Sequence, residues 1–183
     1  AVKQVVNTLG GIDFFIYSAG IFPNRFIVDM SEDEWDQVMD INVKGAFLAC
    51  QAVAKQLIEQ GGGGHIITIS SQSYQSGRVG SGHYSASKAA LVMLTKVLAM
   101  ELAPHGILVN SIAPGLIENP VIGERYKQAY IQRVPLGRIG RSDDVAAAIE
   151  MLASADNTFL TGQVLSVDGG LSAGSYGLPF SSD

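Results

Sequence analysis

Cysteine is nearly missing from this chain. Cys50 stands alone among 183 residues, so no internal disulfide can form and no Cys cluster can hold a metal. The three histidines, His65, His83 and His105, show no ligand spacing either, and no metal site is expected. Charge is also scarce: Lys, Arg, Asp and Glu make up 16% of the residues, against about 25% in ordinary soluble domains. That deficit implies unusually large buried surface, as oligomerisation would supply. The net charge of −5 argues against nucleic acid or an anionic membrane as partner. No apolar run approaches the roughly 18 residues that a spanning helix needs. Ala1 to Leu9 reads as a mixed helical segment rather than a secretory leader. With a lone thiol on a helix pattern, a reducing, cytoplasmic compartment is expected. Gly170-Leu171-Ser172-Ala173-Gly174 matches Gly-x-Ser-x-Gly in letters, but no helix-length run follows it as a nucleophile elbow requires, which argues against a hydrolase of that type.

What is present alternates short apolar runs with helix-length periodic ones, the pattern of βαβ units around a parallel sheet. Strands are expected at Ile12–Tyr17, His65–Ser70, Leu108–Ile112 and Gln163–Val167, each nearly continuous in apolar residues, as strands covered on both faces are. One long helix should start at a capping box, Ser31 with Glu34 three residues on, and run to about Gln60. Gly61 to Gly64 then stop it. A second helix is expected over Tyr84–Ala103, a third from Ser142, and a short one near Glu124–Gln132. The length fits one domain with a sizeable core.

Two polar residues sit where apolar ones belong. Tyr84 and Lys88 are four apart at the head of the second helix, so phenol and ammonium share one face, one turn apart. Lys88 also lies on that helix's apolar stripe with Leu91, Thr95, Leu98 and Leu102, where an unpaired ammonium is costly. A neighbouring cation favours a phenolate, which would lower the Tyr84 pKa toward a usable range. Asn42 interrupts the apolar stripe Trp35, Val38, Ala46, Ala49, Val53 and needs a partner. Ser71 stands thirteen residues before Tyr84, at a strand end.

This Asn–Ser–Tyr–Lys order, with Tyr17-Ser18-Ala19-Gly20 and Pro114-Gly115 at strand ends, resembles the short-chain dehydrogenase/reductase family from Gly10 to Gly170. The resemblance implies an α/β, doubly wound, Rossmann-like sheet of which residues 1–183 form the C-terminal portion, with 172–183 as a tail. It implies an oxidoreductase using NAD or NADP to interconvert a secondary alcohol and its ketone. Asn42, Ser71, Tyr84 and Lys88 would be the catalytic residues, and Asn42 would hold a water leading to the Lys88 ammonium. Ser18, Ala19, Gly20, Pro114, Gly115, Ile117 and Asn119 would bind the cofactor with Tyr84 and Lys88. Ser71, Ser73, Tyr74 and Tyr84 would meet the substrate, with His83 and the Leu116–Gln132 segment in the pocket wall. Tyr17 and Ser18 replace the family's usual Asn pair, and Asn119 its usual Thr.

The family's Gly-rich phosphate loop has no counterpart here. Relative to the family, the chain begins in the helix before the fourth strand, roughly 70 residues in at about 30 per βαβ unit. The choice between NAD and NADP is therefore not readable. The uncharged connector Gly61–Gly64 favours a small alcohol, polyol or sugar. A 3-oxoacyl-thioester reductase is the alternative within the family, and a truncated, non-catalytic interaction protein is the alternative outside it. The resemblance also implies a homotetramer, in which Val92, Met93, Val97 and Met100 are covered by another subunit.

Overall fold

Runs that are apolar on both faces need cover on both faces, and the chain supplies it. The computed structural model describes residues 1–174; the tail residues Tyr176, Leu178 and Phe180, too apolar for a free solvated end and expected from the sequence to reach a neighbouring subunit, lie outside the described residues. Strands β1 (Phe14–Tyr17), β2 (Gly64–Ile69), β3 (Ile107–Pro114) and β4 (Val164–Val167) pair side by side in chain order, all parallel. Ile66 is in register with Phe15 and Val109, and Ile112 with Ile69 and Leu165. Alternation of side chains then divides the core. Ile66 and Val109 pack with Cys50, Leu57 and Ala99 on one face, while Ile67 and Ile112 meet Leu152 on the other. The first group of helices comprises α3 (Gly45–Gln60) and α4 (Gly82–Leu102); the second face is covered by α6 (Ser142–Ala153). The remaining helices are α1 (Val2–Leu9), α2 (Glu32–Met39) and α5 (Glu124–Ile131).

The capping box forms as expected. Ser31 Oγ accepts the Glu34 N–H at 3.2 Å, and the Glu34 carboxylate accepts the Ser31 N–H at 2.9 Å. The single helix expected beyond it does not. Asp40–Lys44 form a π turn between α2 and α3, closed by the Gly45 N–H reaching back to the Asp40 carbonyl. Tyr17 supplies a physical reason. Its hydroxyl donates to the Ile41 carbonyl at 2.8 Å, and a Cβ at position 45 would come within 2.7 Å of that oxygen. The widened turn admits a phenol at the strand end, and glycine is what the remaining space permits.

Helix α4 buries a broader arc than expected. Val92 is 4% exposed, because it follows Lys88 by four residues and lies on the stripe of Ser87, Lys88, Leu91, Thr95 and Ala99. Met93, Val97 and Met100 remain exposed, as do Phe47 and Leu48 on α3.

Candidate active site

Parallel strands bring their carboxyl ends to one edge, and a cleft of about 640 Å³ opens there. Three strand ends contribute: Ser18 and Gly20 after β1, Ile69 to Ser71 at β2, Pro114 and Gly115 at β3. Helix α4 is laced to the second of these. The Lys88 ammonium donates to the Ile69 carbonyl at 2.8 Å, and Ser70 Oγ donates to the Lys88 carbonyl at 3.2 Å. Ser70 N–H in turn donates to Ile112 O at 2.7 Å, which ties the strand end to β3. The position of Lys88 is therefore fixed through both its side chain and its backbone.

Tyr84 and Lys88 face the same space, with Nζ 5.8 Å from the centre of the phenol ring. Burial pulls the Lys88 ammonium down to about 8 from its usual 10.5. Burial also pushes the Tyr84 phenol up, against the Ser71 hydroxyl and the Arg78 charge, which both favour the phenolate. The lowered Tyr84 pKa expected from the neighbouring lysine is thus reversed: loss of water from the pocket outweighs the charges around it. Ser71 begins a 3-10 turn, and its Oγ accepts the Ser73 N–H at 3.2 Å.

Asn42 lies behind the wall, fully buried in the π turn. Its Oδ1 accepts the Ile21 N–H at 2.8 Å, and its Nδ2 donates to the Ile21 carbonyl and to Ser87 Oγ, both at 3.0 Å. Ser87 Oγ passes the link on to the Tyr84 carbonyl at 2.7 Å. The buried amide has the partners that its place demanded, and both are protein groups. Gly20 lies directly over this junction: a Cβ there would stand 3.2 Å from Asn42 Oδ1 and 3.5 Å from Lys88 Nζ.

Ser18, Gly20, Ser71, Ser73, Tyr84, Lys88, Pro114, Gly115, Ile117 and Asn119 all line the cleft. Besides Asn42, three of the expected residues do not. Ala19 is exposed between two lining neighbours, and Tyr74 is carried off the wall at the end of its 3-10 turn. His83 is fully buried instead of lining the wall. Its Nδ1 accepts the Tyr84 N–H at 3.0 Å, one of the donors that a helix start leaves open. Its Nε2 has no partner among the described residues.

Near the third strand end, Ile117 bridges to Gly140 through its neighbours. Gly140 N–H donates to Leu116 O at 2.9 Å and Glu118 N–H to Gly140 O at 2.8 Å, so the amide groups of Ile117 itself stay free of that pairing. Asn119 spends its Oδ1 on the Val121 N–H at 3.0 Å and keeps its Nδ2. The Leu116–Gln132 segment walls the cleft as expected, and within it sequence reasoning did not single out Tyr130, whose hydroxyl accepts the Leu116 N–H at 3.0 Å beside Gly115. The i, i+4 spacing of Tyr126 and Tyr130 on α5 was the available signal; their rings lie 6.3 Å apart. It also missed Phe22, which meets the Tyr84 ring edge-on at 6.4 Å.

Among the described residues no helix is long and apolar enough to cross a membrane, and no group of His, Cys, Asp and Glu could hold a metal ion.

Comparison with known proteins agrees with this geometry. The family model described as enoyl-(acyl carrier protein) reductase matches residues 1–172. The 3-oxoacyl-[acyl-carrier-protein] reductase FabG of Thermotoga maritima is 40% identical over 173 residues, which cover 93% of this chain and 70% of that protein. A short-chain type dehydrogenase/reductase of Mycobacterium marinum superposes with a TM-score of 0.90 at 39% identity, over 94% of this chain and 70% of that one. The structure of ElxO with NADP bound gives 0.89 at 30% identity, over 94% and 72%. The parallel sheet, the helices on its two faces and these relatives lead to one assignment: the chain belongs to the short-chain dehydrogenase/reductase family, oxidoreductases acting on CH–OH groups.

Proposed function

We propose that this protein interconverts a secondary alcohol and its ketone with Tyr84 as the proton-transferring residue and NAD or NADP as the hydride carrier. The observation that carries the reading is the convergence of the Tyr84 phenol, the Ser71 hydroxyl and the Lys88 ammonium on one partly dry cleft. Tyr84 gives its proton to the substrate oxygen in reduction and takes it back in oxidation. Ser71 donates a hydrogen bond to the same oxygen and orients it.

The residues fit a nicotinamide nucleoside. Lys88 has three N–H donors and spends one on Ile69, which leaves two for ribose hydroxyls. The bare backbone of Gly20 lets a sugar approach that ammonium. Ser18, Pro114 and Gly115 form the rest of the seat, and the free amide of Ile117 with Asn119 Nδ2 suits a carboxamide. When bound, the dinucleotide supplies or accepts the hydride; the protein positions it. Asn42 serves the site by holding the Gly20–Ile21 loop to the catalytic helix.

The substrate is a small molecule, for which we favour an alcohol, polyol or sugar. The FabG relative supports 3-oxoacyl-thioester reduction as the second reading. We also infer a homotetramer, supported by Phe47, Leu48, Met93, Val97 and Met100 exposed on α3 and α4. The free, buried Cys50 suits a cytoplasmic location.

Tyr84→Phe tests the assignment. It should lower turnover on the order of a hundred- to ten-thousand-fold while dinucleotide binding by calorimetry persists. Because burial raises the Tyr84 pKa, oxidation, which needs phenolate, should keep gaining rate as pH rises past neutrality. An active Tyr84→Phe protein, or a flat pH–rate profile with chemistry rate-limiting, contradicts the role.

A further inference from the structure

The charges on the wall of the cleft are all of one sign. Arg78, Lys88 and Arg133 line it and, among the described residues, no Asp or Glu does, in a chain whose net charge is −5. Lys88 is accounted for above, and Arg133 stands close enough to Tyr130 to favour its ionised form. Arg78 has no such account.

Its backbone is anchored at the start of α4, where the Ser81 N–H and Oγ donate to the Arg78 carbonyl at 3.0 and 2.8 Å. Its Nη2 donates to Asn24 Oδ1 at 2.5 Å, and its guanidinium lies 5.8 Å from the centre of the Tyr126 ring. Both partners are neutral. Arg25 and Arg138 each hold a carboxylate, at 2.8 and 2.7 Å, whereas no carboxylate pairs with Arg78 among the described residues. A guanidinium resting on an aromatic ring, with most of its five N–H donors unengaged, is prepared for a planar anion. It also stands near the chemistry. Asn24 is two residues from Phe22, whose ring abuts Tyr84, and the Arg78 charge is felt at the Tyr84 hydroxyl.

We propose that the substrate carries a carboxylate which Arg78 receives, so that the enzyme works on an oxo acid and its hydroxy acid. The inference rests on the oxidoreductase reading of the same cleft and narrows its substrate class. Three cations on a wall whose described residues include no acidic side chain also draw anions in by their field, an effect that weakens with salt.

The test compares oxo carboxylates of increasing chain length with their methyl esters, in the full chain, following consumption of the reduced nicotinamide cofactor. The expected result is a preference for the acid over the ester in kcat/KM. Arg78→Gln should shrink that acid-to-ester ratio on the order of 10- to 100-fold, the loss expected for a charge-assisted hydrogen bond. Arg78→Lys, which keeps the charge but not the planar fork, should recover part of it. Calorimetric dinucleotide affinity should not move with either substitution. An equal ratio in wild type and Arg78→Gln overturns the proposal. So does a parallel loss of dinucleotide affinity, which would give Arg78 to a cofactor phosphate. Reduction of neutral ketones with no preference for acids removes the proposal and leaves the oxidoreductase standing; no reduction of any carbonyl compound removes both.

Discussion

Replacing Lys88 by Met removes a charge from a place that opposes it. The side chain is 5% exposed, and burial brings its pKa from 10.5 to about 8. The unfolded chain holds this proton up to 10.5, whereas the folded one begins to release it near 8. Between those values the unfolded state binds more protons, so stability rises with pH. Near neutrality both states are protonated, and keeping the ammonium in the fold costs about 3 kcal/mol, at ~1.36 kcal/mol per pH unit across the gap. Integrated from about pH 7 to about pH 9.5, this residue alone should add about 2 kcal/mol to the wild type. Met has a similar length without the charge, so Lys88→Met should lack that slope. It forgoes the bond to Ile69, worth about 1.5–3 kcal/mol, and should fall near wild-type stability at neutral pH while losing turnover. Urea unfolding of both proteins across the pH range measures it. Tyr17, Tyr84 and Tyr130 titrate in both and largely cancel in the difference. Two stability curves that stay parallel would refute the reasoning.

His83 offers a second check. Asn at this position places Oδ1 where Nδ1 was and should keep kcat within a few-fold, whereas Leu leaves the Tyr84 N–H unpaired and should lower kcat about tenfold with KM little changed. Identical kinetics of His83→Asn and His83→Leu would remove the positioning role. For the assembly, sedimentation of the full chain should give a tetramer at micromolar concentration, and a monomer would contradict the pairing of α3 and α4.

Much of the site was legible because its spacing is set by regular elements. Four residues along a helix fix Tyr84 beside Lys88, and a parallel sheet gathers its strand ends whatever their loops are. Asn42 was legible as a buried amide because nothing else on its stripe was polar. Its partners were not, because Ile21 and Ser87 come from distant parts of the chain. The π turn was hidden for a similar reason: helical periodicity hardly registers one extra residue, and its apparent cause, the Tyr17 hydroxyl, belongs to a strand 24 positions away. The wrong placement of His83 follows from the same limit. Whether a residue at a helix start is wall or core depends on what packs over it, and helical spacing does not carry that information. The direction of the Tyr84 pKa was misjudged because charge can be read from letters and dryness cannot.

The Asn42 junction has a consequence for motion. One amide grips both backbone groups of Ile21 and, through Ser87, the turn that carries Tyr84. Swinging the 20–21 loop outward would strip a fully buried amide of both its bonds to Ile21 and leave it only Ser87, a penalty of two hydrogen bonds in a dry interior. That side of the cleft therefore behaves as an anvil, stationary with respect to the phenol. The opposite side is built differently: Val121 is 78% exposed, and α5 has no fully buried residue. Whatever breathing admits a substrate and releases a product falls to that lighter side, so that the proton-transferring group can stay fixed while its surroundings open and close.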